Sequence, residues 1–253
     1  MLFLIGLGLS RDDITLAALD ACRHCKELYV DRHTSRLDSP TIEYITSATG
    51  KRTLDLTRQE MEEGARDLVA SASVKDIAIL CGGDPLMATT HKILLIEASK
   101  QKVEVRIVHS NSIITAAIGE SGLDFYRFGK VCTIPRWSLN YRPVSFYETI
   151  HNNLTNDAHS LILLDYDSKS ESTISIKEAV ATLEEAEKTY RKGIVRDDSY
   201  IMILHNISAK DSKLAYVRIK EAKEMALGGM NVLIIHSGLS DIEKETMDAL
   251  VSK

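Results

Sequence analysis

Short apolar runs alternate with amphipathic segments along the whole chain, and that alternation limits the architectures open to it. The runs fall at residues 2–7, 28–31, 77–81, 103–109, 131–134, 161–165, 201–205 and 232–236. Of these runs, Ile77-Ala78-Ile79-Leu80 in particular is short, β-branched and continuous, as a strand covered on both faces should be. Between them, residues 58–72 place Met61, Ala65, Leu68 and Ala72 on one helical face, and Ile176–Tyr190 does the same with Ala179, Val180, Leu183 and Ala186. Such alternation specifies α/β architecture, with parallel sheets flanked by helices. Eight strands are many for one compact sheet, so two domains are expected, 1–109 and 110–253. Residues 167–175 are polar and serine-rich and predict an exposed loop.

Charge and cysteine use exclude several functions. The chain has 31 basic and 36 acidic side chains, a formal net charge of −5, and no Lys/Arg run of the kind that nucleic acid demands. No apolar stretch approaches the roughly 18–20 residues needed to span a bilayer. The opening Met1-Leu2-Phe3-Leu4-Ile5 lacks a basic leader and reads as a buried strand, so the expected setting is cytoplasmic, with no membrane and no nucleic acid among the partners. Cys22, Cys25, Cys81 and Cys132 are too few and too unevenly spaced for a disulfide framework. Cys22-Arg23-His24-Cys25 has no second metal-binding pair, and its helical apolar spacing argues for buried thiols and no metal.

Three segments at strand ends carry the candidate chemistry. Gly6-Leu7-Gly8-Leu9 begins like a dinucleotide fingerprint but has Arg11 where the third glycine belongs. Asp12 and Asp13 follow, at the expected start of the first helix, where they would complement its dipole and repel a phosphate. Gly82-Gly83-Asp84-Pro85 follows a buried strand: the glycines allow a turn and close backbone approach, Pro85 ends the strand, and a helix is expected to open near Thr89. Asp84 suits a cationic or hydroxyl-bearing ligand. His109-Ser110-Asn111-Ser112-Ile113 runs from a strand into a small-residue helix, where Ser112 and free amides can bind a polar group or simply cap the helix. In parallel α/β sheets, ligands bind at such carboxyl ends.

These segments resemble the tetrapyrrole-methylase-like class of S-adenosylmethionine-dependent methyltransferases, and within it the diphthine synthase branch. The resemblance rests on Gly6-Leu7-Gly8-Leu9, Gly83-Asp84-Pro85 with Ala88-Thr89-Thr90-His91, Ser112-Ile113, Tyr126-Arg127-Phe128-Gly129, Arg142-Pro143 with Ser145-Phe146, and Leu163-Leu164-Asp165. It implies two α/β domains, the first mainly a parallel sheet and the second mixed, with a cofactor cleft between them, in a homodimer. It also implies S-adenosyl-L-methionine as methyl donor and S-adenosyl-L-homocysteine as product. The implied acceptor is the amino group of a modified histidine, an aminocarboxypropyl-histidine, on translation elongation factor 2. By position, the implied cofactor contacts are Leu9, Asp84, Met87, Ser112, Ile113, Leu164, Ile207 and Asn231. Asn231 stands where the family usually has histidine.

A donor with a sulfonium and an ammonium but no phosphate agrees with one carboxylate among glycines and apolar neighbours. The acceptor amine needs little help: neutralising a group of pKa near ~7.7–8.0 costs about 1 kcal/mol at pH 7. No catalytic base is therefore assigned; His91 is weighed as a proton acceptor against a structural role, with the structural role favoured. The alternatives are a tetrapyrrole methyltransferase, which would want a cationic cluster for its polycarboxylate substrate, and a non-catalytic sensor of the donor. Residues 135–143, with Trp137 between Arg136 and Arg142, predict a loop that either borders the protein-acceptor entrance through Trp137 or packs at a dimer interface or edge. Thr57 with Glu60, Ser145 with Glu148, Ser175 with Glu178 and Ser240 with Glu243 have capping-box spacing and mark helix starts.

Overall fold

The computed structural model describes residues 1–251, excepting the side chains of Glu62 and Val251; Ser252 and Lys253, the last positions of the expected second domain, lie outside the described residues. The chain forms two compact units, Met1–Ile113 and Ile114–Lys253.

The first unit runs β1 (Leu2–Gly6), α1 (Leu16–His24), β2 (Glu27–Asp31), α2 (Ser39–Thr49), β3 (Thr53–Leu56), α3 (Arg58–Glu62), α4 (Ala65–Val74), β4 (Ile77–Cys81), α5 (Lys92–Gln101) and β5 (Val105–Val108). Its strands pair in the order β3-β2-β4-β1-β5, all in parallel. The central strands β1 and β4 are buried at every residue. Period-two alternation sends Phe3 and Ile5 into a core with Ala18, Cys22 and Ile45 from α1 and α2. It sends Leu2 and Leu4 into a second core with Val69, Ala72 and Leu94 from α4 and α5. Each fully buried Leu or Ile there contributes roughly 1.5–3 kcal/mol. Helix boundaries follow local chemistry: Asp38 accepts from the Thr41 amide, Pro40 occupies the first turn of α2, and Gly50 ends it at φ +69°.

The second unit runs α6 (Ile113–Ser121), β6 (Cys132–Ile134), α7 (Ser145–Thr155), β7 (Ser160–Leu164), β8 (Tyr166–Asp167), β9 (Ser172–Thr173), α8 (Ile176–Tyr190), β10 (Tyr200–His205), β11 (Lys213–Arg218), α9 (Ile219–Ala222), β12 (Asn231–Ile235) and α10 (Asp241–Val251). Its main sheet has the order β11-β10-β12-β7-β6 and is mixed: only β6 and β7 pair in parallel. Phe146 and Ile150 of α7, with Val180 and Leu183 of α8, pack on Ile162, Ile203 and Leu233 of that sheet.

Some expectations need correction. Strands β3 and β11 are not among the expected strands: β3 carries no continuous apolar run, whereas β11 contains Leu214-Ala215-Tyr216-Val217. Residues 166–173 form a small β8–β9 hairpin instead of a plain loop. The helix expected near Thr89 begins at Lys92, with His91 as its N-cap, and Ala88 at φ +57° closes off any helical path before Thr89. Ser145 lies inside the first turn of α7, whose N-cap is Val144, and Glu148 pairs instead with Lys192. The other capping positions do cap: Thr57 with Glu60 and Ser240 with Glu243 form reciprocal boxes, and Ser175 accepts from the Glu178 amide. Cys22 and Cys25 are packed inward, and burial pushes their thiols up to about 12 and about 11. Lys51 donates to the Cys22, Arg23 and Cys25 carbonyls, capping the end of α1. No helix among the described residues is long and apolar enough to cross a membrane.

Candidate functional site

Parallel pairing aligns the carboxyl ends of three neighbouring strands in the first unit. Gly6 stands opposite Cys81, and Ile5 opposite Val108, so residues 6–9, 82–87 and 109–113 leave the sheet side by side. The first two segments are joined by main-chain atoms alone: the Gly8 amide donates to the Gly83 carbonyl at 3.2 Å, and Gly83 to Gly8 at 2.7 Å. Both residues require positive φ, +77° and +72°. A side chain at Gly6 would meet the Gly83 carbonyl at 2.5 Å. Gly82 is packed by the chain itself, against the Arg36 carbonyl and Ser35 hydroxyl. Gly83 differs, since the nearest atom to its missing Cβ is 4.0 Å away. Of the two glycines expected to admit a ligand, only Gly83 faces open space.

Asp84 is buried and well held. One carboxylate oxygen accepts from the Leu86 amide at 3.0 Å; the other accepts from His109 Nδ1 at 2.7 Å and the Ser110 amide at 3.3 Å. Asp84 therefore has a basic neighbour from the third segment, which motif reading did not supply. Asp13 is also more than a helix-dipole partner. It lies in a one-turn 3-10 helix, Arg11–Asp13, while α1 opens later with Thr15 as its cap. Asp13 Oδ2 accepts from the Leu9 amide at 2.9 Å, and its main-chain carbonyl accepts from the Ser110 hydroxyl at 3.2 Å. Leu9 is half-buried, Ser112 is buried, Ile113 opens α6, and Met87 is 43% exposed on the same edge. The structure thus brings Leu9, Asp84, Met87, Ser112 and Ile113 to one edge.

His91 serves as a clamp. Its ring is buried, with Nδ1 at 2.8 Å from the Pro85 carbonyl and Nε2 at 2.8 Å from Asp31 Oδ2. Both nitrogens are engaged within the fold and the ring is buried, so neither is placed to take a substrate proton. Burial would raise the Asp31 carboxyl, but the bonds from His91, the Thr34 hydroxyl and the His33 amide hold it below the usual carboxylate range. The pair ties the end of β2 to the loop bearing Asp84.

In the second unit, antiparallel pairing gathers Leu164, Ile207 and Asn231 at one sheet edge. Asn231 opens β12 opposite His205, Val232 opposes Leu163, and Ile207 lies just past the end of β10. Asn231 is buried, with its amide committed: Oδ1 accepts from His205 Nδ1 at 2.9 Å and Nδ2 donates to the Gly228 carbonyl at 3.1 Å. Within Tyr126-Arg127-Phe128-Gly129, Arg127 and Gly129 hold the fold, while Tyr126 is exposed. Arg127 donates to Glu243, Asp157, Ser237 and the Gly238 carbonyl, and a Cβ on Gly129 would strike Asn153. Trp137 is half-buried, with its ring 6.5 Å from that of Phe146, and so anchors its loop on the core.

The donor set of the first edge fits a phosphate-free cationic ligand. It offers one fixed carboxylate with spare acceptor capacity, open space over Gly83, apolar neighbours, and no Lys or Arg in its three segments.

The description that matches residues 1–223 is that of the tetrapyrrole (corrin/porphyrin) methylases. A diphthine synthase from Methanothermobacter thermautotrophicus is 34% identical over 247 residues, 97% of this chain and 93% of that protein. A diphthine methyl ester synthase from Mus musculus is 31% identical over 269 residues, 98% of this chain and 95% of that protein. A crystal structure of diphthine synthase superposes with a TM-score of 0.86 at 31% identity, covering 99% of this chain and 96% of that one. The chain belongs to the tetrapyrrole (corrin/porphyrin) methylase family, among its diphthine synthase members.

Proposed function

We propose that this chain is an S-adenosylmethionine-dependent methyltransferase of diphthamide biosynthesis that methylates the amino group of the aminocarboxypropyl-histidine of translation elongation factor 2. The match to diphthine synthases over nearly the whole chain carries this reading. When bound, S-adenosyl-L-methionine supplies a methyl group activated by its sulfonium.

The chain's own residues bind and orient. In this reading Leu9, Asp84, Met87, Ser112 and Ile113 hold the donor in the first unit, and Leu164, Ile207 and Asn231 are the second unit's candidates. The Asp84 carboxylate, fixed by Leu86, His109 and Ser110, offers an acceptor to a cationic or hydroxyl group without first having to be ordered. Orientation and exclusion of water can supply about 7–11 kcal/mol of a transfer barrier. The acceptor amine, with a reference pKa near ~7.7–8.0, then needs no strong base. Among second-unit contacts, Asn231 is held by His205 and Gly228, so it would act through the one amide hydrogen it has left.

The name of the mouse relative raises a second acceptor atom, a carboxylate oxygen. Elongation factor 2 bearing the unmethylated aminocarboxypropyl-histidine is incubated with enzyme and donor, and its intact mass is followed before and after mild alkali. Alkali-stable steps of one methyl mass are the expected result; alkali-labile steps assign an ester. Donor binding without any mass change on a competent acceptor refutes the enzymatic reading in favour of a sensor.

A further inference from the structure

Residues 135–143 form a closed loop on the second unit's sheet edge. Strand β6 pairs with β7 so that Ile134 opposes Leu164, and the loop leaves β6 at the edge where Leu164 ends its strand. The Arg136 amide donates to Asp165 Oδ2 at 3.0 Å, one residue past Leu164. The Trp137 indole donates to the Pro143 carbonyl at 3.1 Å, closing the base of the loop. Arg142 lies over the indole, 5.7 Å from its centre. At the far end, Ser138 and Tyr141 exchange main-chain hydrogen bonds of 3.0 and 3.4 Å around a tight turn.

This construction holds two large side chains outward: Leu139 is 93% exposed and Tyr141 61% exposed. A slack loop could fold such residues against its own unit. Here the base, the indole and the turn are each tied, so the exposure is imposed by the backbone. A small-molecule acceptor would gain nothing from a rigid apolar projection, whereas a folded protein approaching this edge would meet it.

We propose that the 138–141 turn is a preformed docking element for the protein acceptor, with Leu139 and Tyr141 seating against an apolar patch of that protein while Trp137 holds the turn in place. The inference rests on the proposed function, since a protein acceptor is its premise. The loop's continuity with the edge that carries Leu164 and Asn231, the second unit's donor candidates in the proposed function, argues for the protein acceptor as occupant. Pre-ordering also lowers the entropy lost when the two proteins meet, and Tyr beside Arg is a composition that protein interfaces favour.

The test is the full-length double variant Leu139→Ser, Tyr141→Ser, assayed on elongation factor 2 bearing the unmethylated intermediate. The KM for the acceptor protein should rise about tenfold, with kcat at saturation and the calorimetric affinity for S-adenosyl-L-homocysteine each within twofold of the parent. Val74→Ser, an equally exposed apolar residue of the first unit, should leave all three unchanged. An unaltered KM overturns the inference, as does a fall in kcat alone. A change in sedimentation from dimer to monomer reassigns the turn to contact between copies and also overturns it. A parent enzyme inactive on this acceptor refutes the functional reading itself, a result distinct from each of these.

Discussion

Replacing Gly83 by alanine tests the donor site against a control contained in the same fold. Gly83 (φ +72°) and Gly50 (φ +69°) share the left-handed conformation, and neither has an atom closer than 4.0 Å to the position of a new Cβ. Alanine at either position therefore brings the same backbone strain, about 1–2 kcal/mol, and no collision. The two variants should lose stability equally in urea unfolding. They should differ in binding, because Gly50 ends helix α2 whereas Gly83 faces the space beside Asp84. A methyl forced between main chain and a well-fitted ligand costs about 1–3 kcal/mol, a loss of affinity of about five- to 150-fold. Isothermal titration with S-adenosyl-L-homocysteine should show that loss in Gly83→Ala and parental affinity in Gly50→Ala. Equal affinity in both variants would mean that no ligand approaches Gly83, and the argument from open space would collapse.

Two further outcomes follow from buried polar groups. Asp31→Asn removes the anion from the His91 pair and should destabilise the first unit by about 3–5 kcal/mol while weakening donor binding through the released Asp84 loop; a loss under about 1 kcal/mol would show that His91 is not a clamp. Acid should destabilise the second unit in two stages. Burial holds His159 below its usual pKa, and its Nδ1 already accepts the Ser237 amide, so the unfolded ring binds a proton first and stability declines as pH falls from about 6.5. Burial alone would raise Glu243, but the Ser240 and Asp124 amides and the His159 ring outweigh it and bring it to about 2. Its contribution, about 3 kcal/mol, is whole above its ordinary 4.5 and is lost as pH falls toward 2. Urea midpoints measured from pH 8 to pH 3 check both stages, Glu243→Gln should flatten the lower one, and a midpoint unchanged below pH 6.5 would contradict the assignment.

Apolar runs revealed the strands that lie inside the sheets and missed those at some margins. Every residue of β1, β4 and β12 is buried, and all three runs were legible. Thr53–Leu56 has two exposed residues, and Lys213–Arg218 has none fully buried. Each closes one side of its sheet and needs no second apolar face. Strand β3 therefore has no run to announce it, whereas the Leu214-Ala215-Tyr216-Val217 run of β11 is present in the sequence and went unread. The candidate edge was legible at Gly83, Asp84 and Ser112 because turns and caps leave local marks. The partners of those residues were not. His109 meets Asp84, and Asp31 meets His91, only through the parallel register of strands distant in sequence. A polar residue ending a buried apolar run was the available sign for both. For Trp137, composition marks an aromatic as a contact residue but cannot say which of its sides is covered; one side packs on the core and the residue is only half-buried.

The reciprocal amide pair between Gly8 and Gly83 contains no side-chain atom. Two crossover connections are thereby fastened by groups that every amino acid except proline can offer; positive φ constrains both positions, and at Gly8 the Asp13 side chain, 2.2 Å from where a Cβ would stand, closes the space as well. Surrounding positions such as Leu9 and Met87 are left free to be exchanged for others. A designer seeking to change what the proposed donor edge binds could rewrite those neighbours while the fastening stays intact.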